Sequence, residues 1–300
     1  MQLLIGFVNS AVSLVAYDWW ANEVIWNVPS TTTKSCGICH WRDQLVIATD
    51  DTLSWHSEAQ TIRSPLPGPH PSLAHSVHAI DGDHTGVVDT GNSSIHIFNA
   101  NRELIHTFAP IAAWGNLPPD AIHLNDFAVT HAGILASCFD YRPWRASREG
   151  YQWKDWSQGG FGVILNIDGH PPHGMGAILA CGLNHPHSLT YENGNLYVCS
   201  SATGVFARYR FDSQNRLHLD AEWHIAKHHF LRGALFAAGK WYLGGSTTRH
   251  GERLTNRTAL FCFDEQTGQV AERQLPFAGE IYDILPWNPK IRHYAGLSST

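Results

Sequence analysis

The sequence predicts an all-β, six-bladed β-propeller, one domain over residues 1–300, with the N- and C-terminal strands closing one blade. Two observations carry this. A short phrase recurs six times: SCGICHW (35–41), SVHAIDG (76–82), HLNDFAV (123–129), HPHSLTY (185–191), LRGALFA (231–237) and EIYDILP (280–286). Each alternates apolar positions and leads through a turn into a second β-rich run, as inner propeller strands do. Spacing is the second observation. Counted at Cys36, His78, Asn125, His187, Arg232 and Tyr282, the phrases lie 42, 47, 62, 45 and 50 residues apart, the period of a four-stranded blade.

The first runs, LLIGFVN (3–9), SLVAYDW (13–19) and EVIWNVP (23–29), precede the first phrase and lack one of their own. From Tyr282 to the last residue and on from Met1 to Cys36 is 54 residues. The three N-terminal runs therefore complete the blade that EIYDILP begins, which closes an otherwise open edge. Turn signals separate the strands within units: Glu192-Asn193-Gly194-Asn195, Ala238-Gly239-Lys240 and Glu265-Gln266-Thr267-Gly268. Long helical periodicity is absent, and a pair of β-sandwiches would not produce one inner phrase at this period. The unit starting at His123 carries extra length, FDYRPWRASREGYQWKDWSQGGFG (139–162). Its Trp144, Tyr151, Trp153 and Trp156 suit a lid over one mouth of the ring; a surface loop is the plainer alternative.

Composition sets the class. Charged residues are 15%, hydrophobic residues 43%, and there are 26 glycines and 12 tryptophans, which suits a turn-rich, aromatic-packed fold. A net charge of −6 without any Lys/Arg run argues against a nucleic-acid partner, and no apolar run reaches membrane-span length. The N-terminus has no basic region before its apolar residues and is broken by Asn9, Ser10 and Ser13, so it reads as strands and not as a signal peptide; a cytoplasmic protein is expected. The six cysteines sit in apolar settings and read as buried free thiols. Cys36-Gly-Ile-Cys39 invites a redox or zinc reading, but residues three apart on a strand face opposite sides. Trp19, Trp20, Trp26 and Trp55 read as packing between blades, and His228-His229 as a loop.

The chemistry lies where the inner strands converge. One aligned column holds Cys36, His78, Asn125, His187, Arg232 and Tyr282; two residues earlier stand Lys34, Ser76, His123, His185, Phe230 and Glu280. A strand repeats its facing every two residues, so both columns point to the axis. His123, His185, His187 and His78, with Glu280 close by, make a candidate site for a divalent transition metal, zinc, iron, manganese or copper, with a position open for water or substrate. The bland alternative is a set of histidines hydrogen-bonded around a wet channel. Arg232 must be paired when buried; Glu280 or Asp283 would do so structurally, whereas a substrate carboxylate or phosphate would make it a clamp. Asp126 and Asp283 follow the channel residues directly and are expected to face the other way.

The order HLNDFAV, WKDWSQGGFGVILNI, NHPHSLTYENGNLYVCSSATG, LRGALF, EIYDILP resembles a family of bacterial propeller-type proteins without a settled reaction, over about residues 120–290. That resemblance implies a propeller and carries over His123, Asn125, His187, Arg232, Glu280 and Asp283. This chain has Ser188-Leu189 where the family has Ser-Pro, and Tyr282 where it has Phe. More distantly the chain is similar to six-bladed gluconolactonase and senescence-marker proteins, whose channel metal is held by carboxylate and amide groups. Here His187 stands in place of an Asn, and Arg232 in place of an acidic ligand, which speaks against a copied calcium site. The expectation is a metal-assisted hydrolase, lyase or oxidoreductase acting on a small molecule or peptide in the channel, with Arg232, Glu280 and Asn125 taking part. The alternative is a non-catalytic propeller that binds a ligand or partner.

Overall fold

Each recurring phrase forms the innermost strand of a four-stranded antiparallel sheet, and six such sheets make up the fold. The computed structural model describes residues 1–30, 35–112, 115, 118–142, 159–168, 177–246 and 258–297. Blades 1 to 5 open with inner strands Gly37–Trp41, Ala74–Ala79, Leu124–Thr130, Pro186–Glu192 and Phe230–Ala237, and each continues outward in chain order. Blade 6 is composite. Its inner strand, Glu280–Pro286, pairs with Gln2–Val8, followed by Val12–Asp18 and Glu23–Pro29, so the two ends of the chain close the ring as the interval count requires. Each inner strand contacts the next one round, and that of blade 6 contacts that of blade 1. Among the described residues no helix is long and apolar enough to cross a membrane.

The core is divided in the way a propeller demands. Alternate residues of each strand face the neighbouring blade, giving six separate apolar clusters, one per interface. Trp55 lies between blades 1 and 2, and Trp241 between blades 4 and 5, both fully buried. Trp19 and Trp26 are buried as expected, but Trp20 is 69% exposed: it lies in the turn after Asp18 and packs against no blade. All six cysteines are free, and only Cys181 is exposed.

Strict alternation fails at one place, and it fails in five inner strands out of six. The register shifts between Ala74 and Val77, Leu124 and Asp126, His187 and Thr190, Arg232 and Ala234, and Ile281 and Asp283. Each is a β-bulge, in which one extra residue bends the strand and resets its facing. The bulges sit at the level where the strands approach the axis, so two consecutive residues of each strand serve the channel there. The blade 1 strand keeps its register with Gly37, where a Cβ would lie 2.7 Å from the backbone nitrogen of Val77.

Candidate functional site

The bulges correct the sequence alignment. The matching triplets are Cys36-Gly37-Ile38, His75-Ser76-Val77, Asn125-Asp126-Phe127, His187-Ser188-Leu189, Arg232-Gly233-Ala234 and Tyr282-Asp283-Ile284. A polar or aromatic residue is followed by a small or acidic one and then by an apolar one. The blade 2 member of the first column is thus His75 and not His78, and the channel is built of two tiers.

The upper tier gathers most of the expected residues. His75 lies at its centre, with ring centroids 5.7 Å from His123, 5.3 Å from His187 and 4.9 Å from Tyr282, which belong to three different blades. Phe139 packs on His123, His185 and His187 at 4.2, 4.6 and 5.2 Å. The first residues of the 139–162 insertion therefore stand at this mouth. Trp144, Tyr151, Trp153 and Trp156, on which the lid expectation rests, lie outside the described residues. His123 and His185 occupy equivalent positions, both in the left-handed region with φ of 48° and 52°, an uncommon conformation that turns the chain sharply into the inner strand.

Arg232 and Glu280 form a buried ion pair, Nη1 to Oε2 3.0 Å, each side chain 7% exposed. The other Glu280 oxygen accepts from Asn9 Nδ2 at 2.8 Å. Glu280 is therefore the counter-ion of the arginine, and both its oxygens are engaged. The guanidinium is sandwiched between Phe230 and Tyr282, 4.7 and 4.6 Å from the ring centroids, which fixes its plane.

His187 is oriented from behind. Its Nδ1 lies 2.9 Å from the carbonyl of His185 and 2.8 Å from Ser201 Oγ, while Ser201 Oγ donates to the Leu231 carbonyl at 2.6 Å. A carbonyl can only accept, so Nδ1 carries the proton and Nε2 presents its lone pair. Burial, and after it the positive charge of Arg232, hold the His187 imidazole well below its ordinary pKa. Burial, followed by the neighbouring His123 and then Arg232, brings His185 down to about 3. Both rings are neutral at physiological pH.

Three buried side chains of this tier keep polar atoms without a hydrogen-bond partner among the described residues: both amide atoms of Asn125, Nε2 of His187 and Nε of Arg232. Asn125 is fully buried, and His187 and Arg232 are 2% and 6% exposed. Buried polar atoms left unmatched cost about 1–3 kcal/mol each, so three such side chains on adjacent inner strands favour a polar occupant.

The lower tier holds what strict alternation placed elsewhere. Asp126 and Asp283 face the axis and not away from it, because each follows a bulge. Asp126 Oδ2 accepts from the Leu189 amide of blade 4 at 2.8 Å, and Asp283 Oδ2 from the Ile38 amide of blade 1 at 3.4 Å. Ser188 Oγ does the same for the Gly233 amide of blade 5. His78 belongs here, its Nε2 2.6 Å from Asp126 Oδ1.

The expected metal set is therefore not assembled. His78 is taken by Asp126 and leaves the set, and His123 Nδ1 is 2.9 Å from Asp120 Oδ1. Burial keeps His185 and His187 neutral, and the Arg232 charge that adds to it opposes a cation beside them. Among the described residues no group of three or more His, Cys, Asp or Glu is placed to hold a metal ion. His75, Ser201 and Phe139 were missing from the sequence reading. Only His75 had a signal there, the triplet His75-Ser76-Val77.

No protein-family profile matches the chain, and no curated protein does. Solved structures do. The chain is similar to a protein of unknown function from Bacteroides caccae at 13% identity, covering 94% of this chain and 97% of that one, with a TM-score of 0.64. A luciferin-regenerating enzyme matches at 12% identity over 82% and 78%, TM-score 0.53. Regucalcin from Agrobacterium tumefaciens, a calcium-binding protein, matches at 11% identity over 78% and 71%, TM-score 0.50. At these identities the likeness establishes the six-bladed fold alone.

Proposed function

We propose that the upper tier is the active site of a small-molecule enzyme that binds a compact anion and moves a proton with His187. The observation that carries this is that Asn125, His187 and Arg232, at equivalent positions on the inner strands of blades 3, 4 and 5, are each buried and each keep a polar atom without a partner among the described residues. Arg232 Nε and Asn125 Nδ2 offer donors, as a carboxylate requires; Asn125 Oδ1 and His187 Nε2 offer acceptors to a hydroxyl, amine or water.

Charge coupling gives His187 its role. Alone, the imidazole is a weak base because it is buried beside a guanidinium. An anion seated on Arg232 offsets that field, which raises the His187 pKa towards the working range of a general base. Glu280, Asn9, Phe230 and Tyr282 hold Arg232; Ser201 and the His185 carbonyl hold His187. The luciferin-regenerating enzyme is a precedent for catalysis on this scaffold, at fold level only. Calcium binding by regucalcin is not carried over, because at 11% identity the likeness extends to the fold alone.

The test is a screen of small carboxylates by ligand-observed NMR against the wild type, Asn125→Ala and His187→Gln. Binding that weakens in Asn125→Ala, together with raised His187 pKa in the complex, supports the reading. A carboxylate that binds without moving the His187 titration identifies a non-catalytic binding propeller. Absence of binding to any of them overturns the site.

A further inference from the structure

The lower tier brings together more ionisable groups than joining the blades requires. Ser188 meets the amide of the next blade with a hydroxyl; the same job is given to carboxylates at Asp126 and Asp283, and a histidine is added. These three groups come from blades 3, 6 and 2. Blades 3 and 6 face one another across a ring of six, and the inner strands of blades 2 and 6, which are not neighbours in the ring, touch across the axis. His78 binds Asp126 at 2.6 Å. Asp283 Oδ1 accepts from its own neighbour Ile284 N at 3.0 Å, and Oδ2 reaches the Ile38 amide at 3.4 Å. The titratable groups facing Asp283 are His78, Asp126 and the buried Cys39 thiol. His78 keeps 31% of its side chain exposed, so water reaches the edge of the tier.

We infer that Asp126, His78 and Asp283 form a proton switch set into the seam where the two ends of the chain close the ring. In one form Asp283 holds a proton beside the Asp126–His78 pair; in the other it has released the proton to channel water, and two carboxylates share one imidazole. The charges support the first form near neutrality. Burial and the neighbouring Asp126 charge raise Asp283 to about 7, although His78 opposes them. Burial lowers His78, but Asp126 and Asp283 outweigh it and hold the ring above its ordinary value. Two carboxylates near one point cannot both ionise without cost.

The sign follows from linkage. The unfolded Asp283 ionises near its ordinary value, about 3.9, whereas the folded one keeps its proton to about 7. Over that window the native state binds the extra proton, so the contribution of Asp283 to stability is present at low pH and is lost as pH rises through about 7. The change is felt at the seam, because Asp283 of blade 6 accepts from Ile38 of blade 1, a bond that the ionised carboxylate makes more strongly than the acid. It also reaches the upper tier: Tyr282, next in the chain, packs on His75 and covers the Arg232 guanidinium. The switch itself does not depend on what the upper tier binds.

The test is a titration of the aspartate side-chain carboxyl carbons by NMR in the full chain, with amide exchange of Ile38 followed over the same range. One carboxyl should titrate near neutrality, vanish in Asp283→Asn and move upward in His78→Gln, which removes the favourable imidazolium. Ile38 protection should change across that range in the wild type and not in Asp283→Asn. If Asp283→Asn does not fold, Asp126→Asn serves, since losing the Asp126 charge should move the same carboxyl downward. No aspartate titrating above about 5 in the wild type, or an unchanged titration in every folded variant, would overturn the switch and leave the upper-tier reading standing.

Discussion

Arg232 joins two roles that the sequence presented as alternatives. Nη1 is spent on Glu280, and the aromatic sandwich fixes the guanidinium plane, leaving Nε towards the site. Arg232→Met should therefore lower stability by about 3–5 kcal/mol, the cost of stranding one member of a buried pair, as read by denaturant unfolding. Adding Glu280→Leu should recover part of that loss but none of the anion binding. His187 gives the opposite pH signature from Asp283. Its folded pKa lies well below the unfolded value of about 6.5, so its contribution is complete above that value and lost as pH falls below it. His187→Gln should flatten the acid side of the stability profile below about pH 6.5, whereas Asp283→Asn should flatten the fall as pH rises towards about 7. Melting temperature against pH for the two variants separates them; equal profiles would mean that neither group titrates as its surroundings require. Residues of this kind were partly legible. His187, Arg232, Glu280 and Asn125 stood out because a strand that meets an axis has no other use for them. The tautomer of His187 did not, because it depends on Ser201 and Leu231, which no spacing links to it.

At the scale of the strand, the bulge is what the sequence hid. The phrase SVHAIDG aligns on its apolar residues only if facing alternates throughout, and that assumption selected His78. The extra residue between Ala74 and Val77 breaks the alternation and brings in His75. Asp126 and Asp283 were misplaced for the same reason. A bulge leaves no mark in hydrophobic periodicity, because it costs one residue in a run too short to show a change of phase. Its trace lies in residue type: Ser76, Ser188 and Gly233 are small, as is Gly37 at the same level of the unbulged strand, since inner strands crowd there. At Gly233, φ is 70° and a Cβ would meet Ile281 and Ile284 at 3.1 Å; at Gly37 the obstacle is the Ser76–Val77 backbone. Backbone cannot give way as a side chain can. Gly37→Ala should therefore cost about 1–3 kcal/mol by overpacking, while alanine at Gly194, whose Cβ position is open, should cost only what its φ of 79° imposes. Thermal melts of the two rank the causes: a smaller loss at Gly37 would show that the inner strands are less tightly apposed than the geometry requires.

Across the whole molecule, the ring is only as stable as its seam, and the seam holds more than two paired strands. Beyond Pro286 the chain returns over blades 6 and 1 through the short 3-10 turn Pro289–His293. Trp287, Ile291, Tyr294 and Leu297 are buried in the cluster that also holds Leu4, Leu14, Trp26, Ile38 and Ile47. The Trp287 and Trp26 rings lie 5.1 Å apart, Trp287 N donates to the Gln2 carbonyl, Ala295 N to Ser57, and Tyr294 OH to Asp43. Both chain ends and blade 1 are thus fastened by one segment. The strand exchange was legible from the interval count, because a blade must have four strands; the strap was not, because GLSST and PWNPKIRHY carry no period. A ring of six loses cooperativity if one interface opens, so the cost of weakening the strap should appear in the global transition. Trp287→Ala should lower stability by about 3–5 kcal/mol, as expected for a buried tryptophan. Trp20→Ala, removing the same side chain where it is 69% exposed, should stay within about 0.5 kcal/mol. Both are read by denaturant unfolding monitored by circular dichroism. If the seam governs the ring, Trp287→Ala will shift the midpoint of a single transition. A second transition would show blade 6 opening by itself, and a loss equal to that of Trp20→Ala would show that the strap fastens nothing.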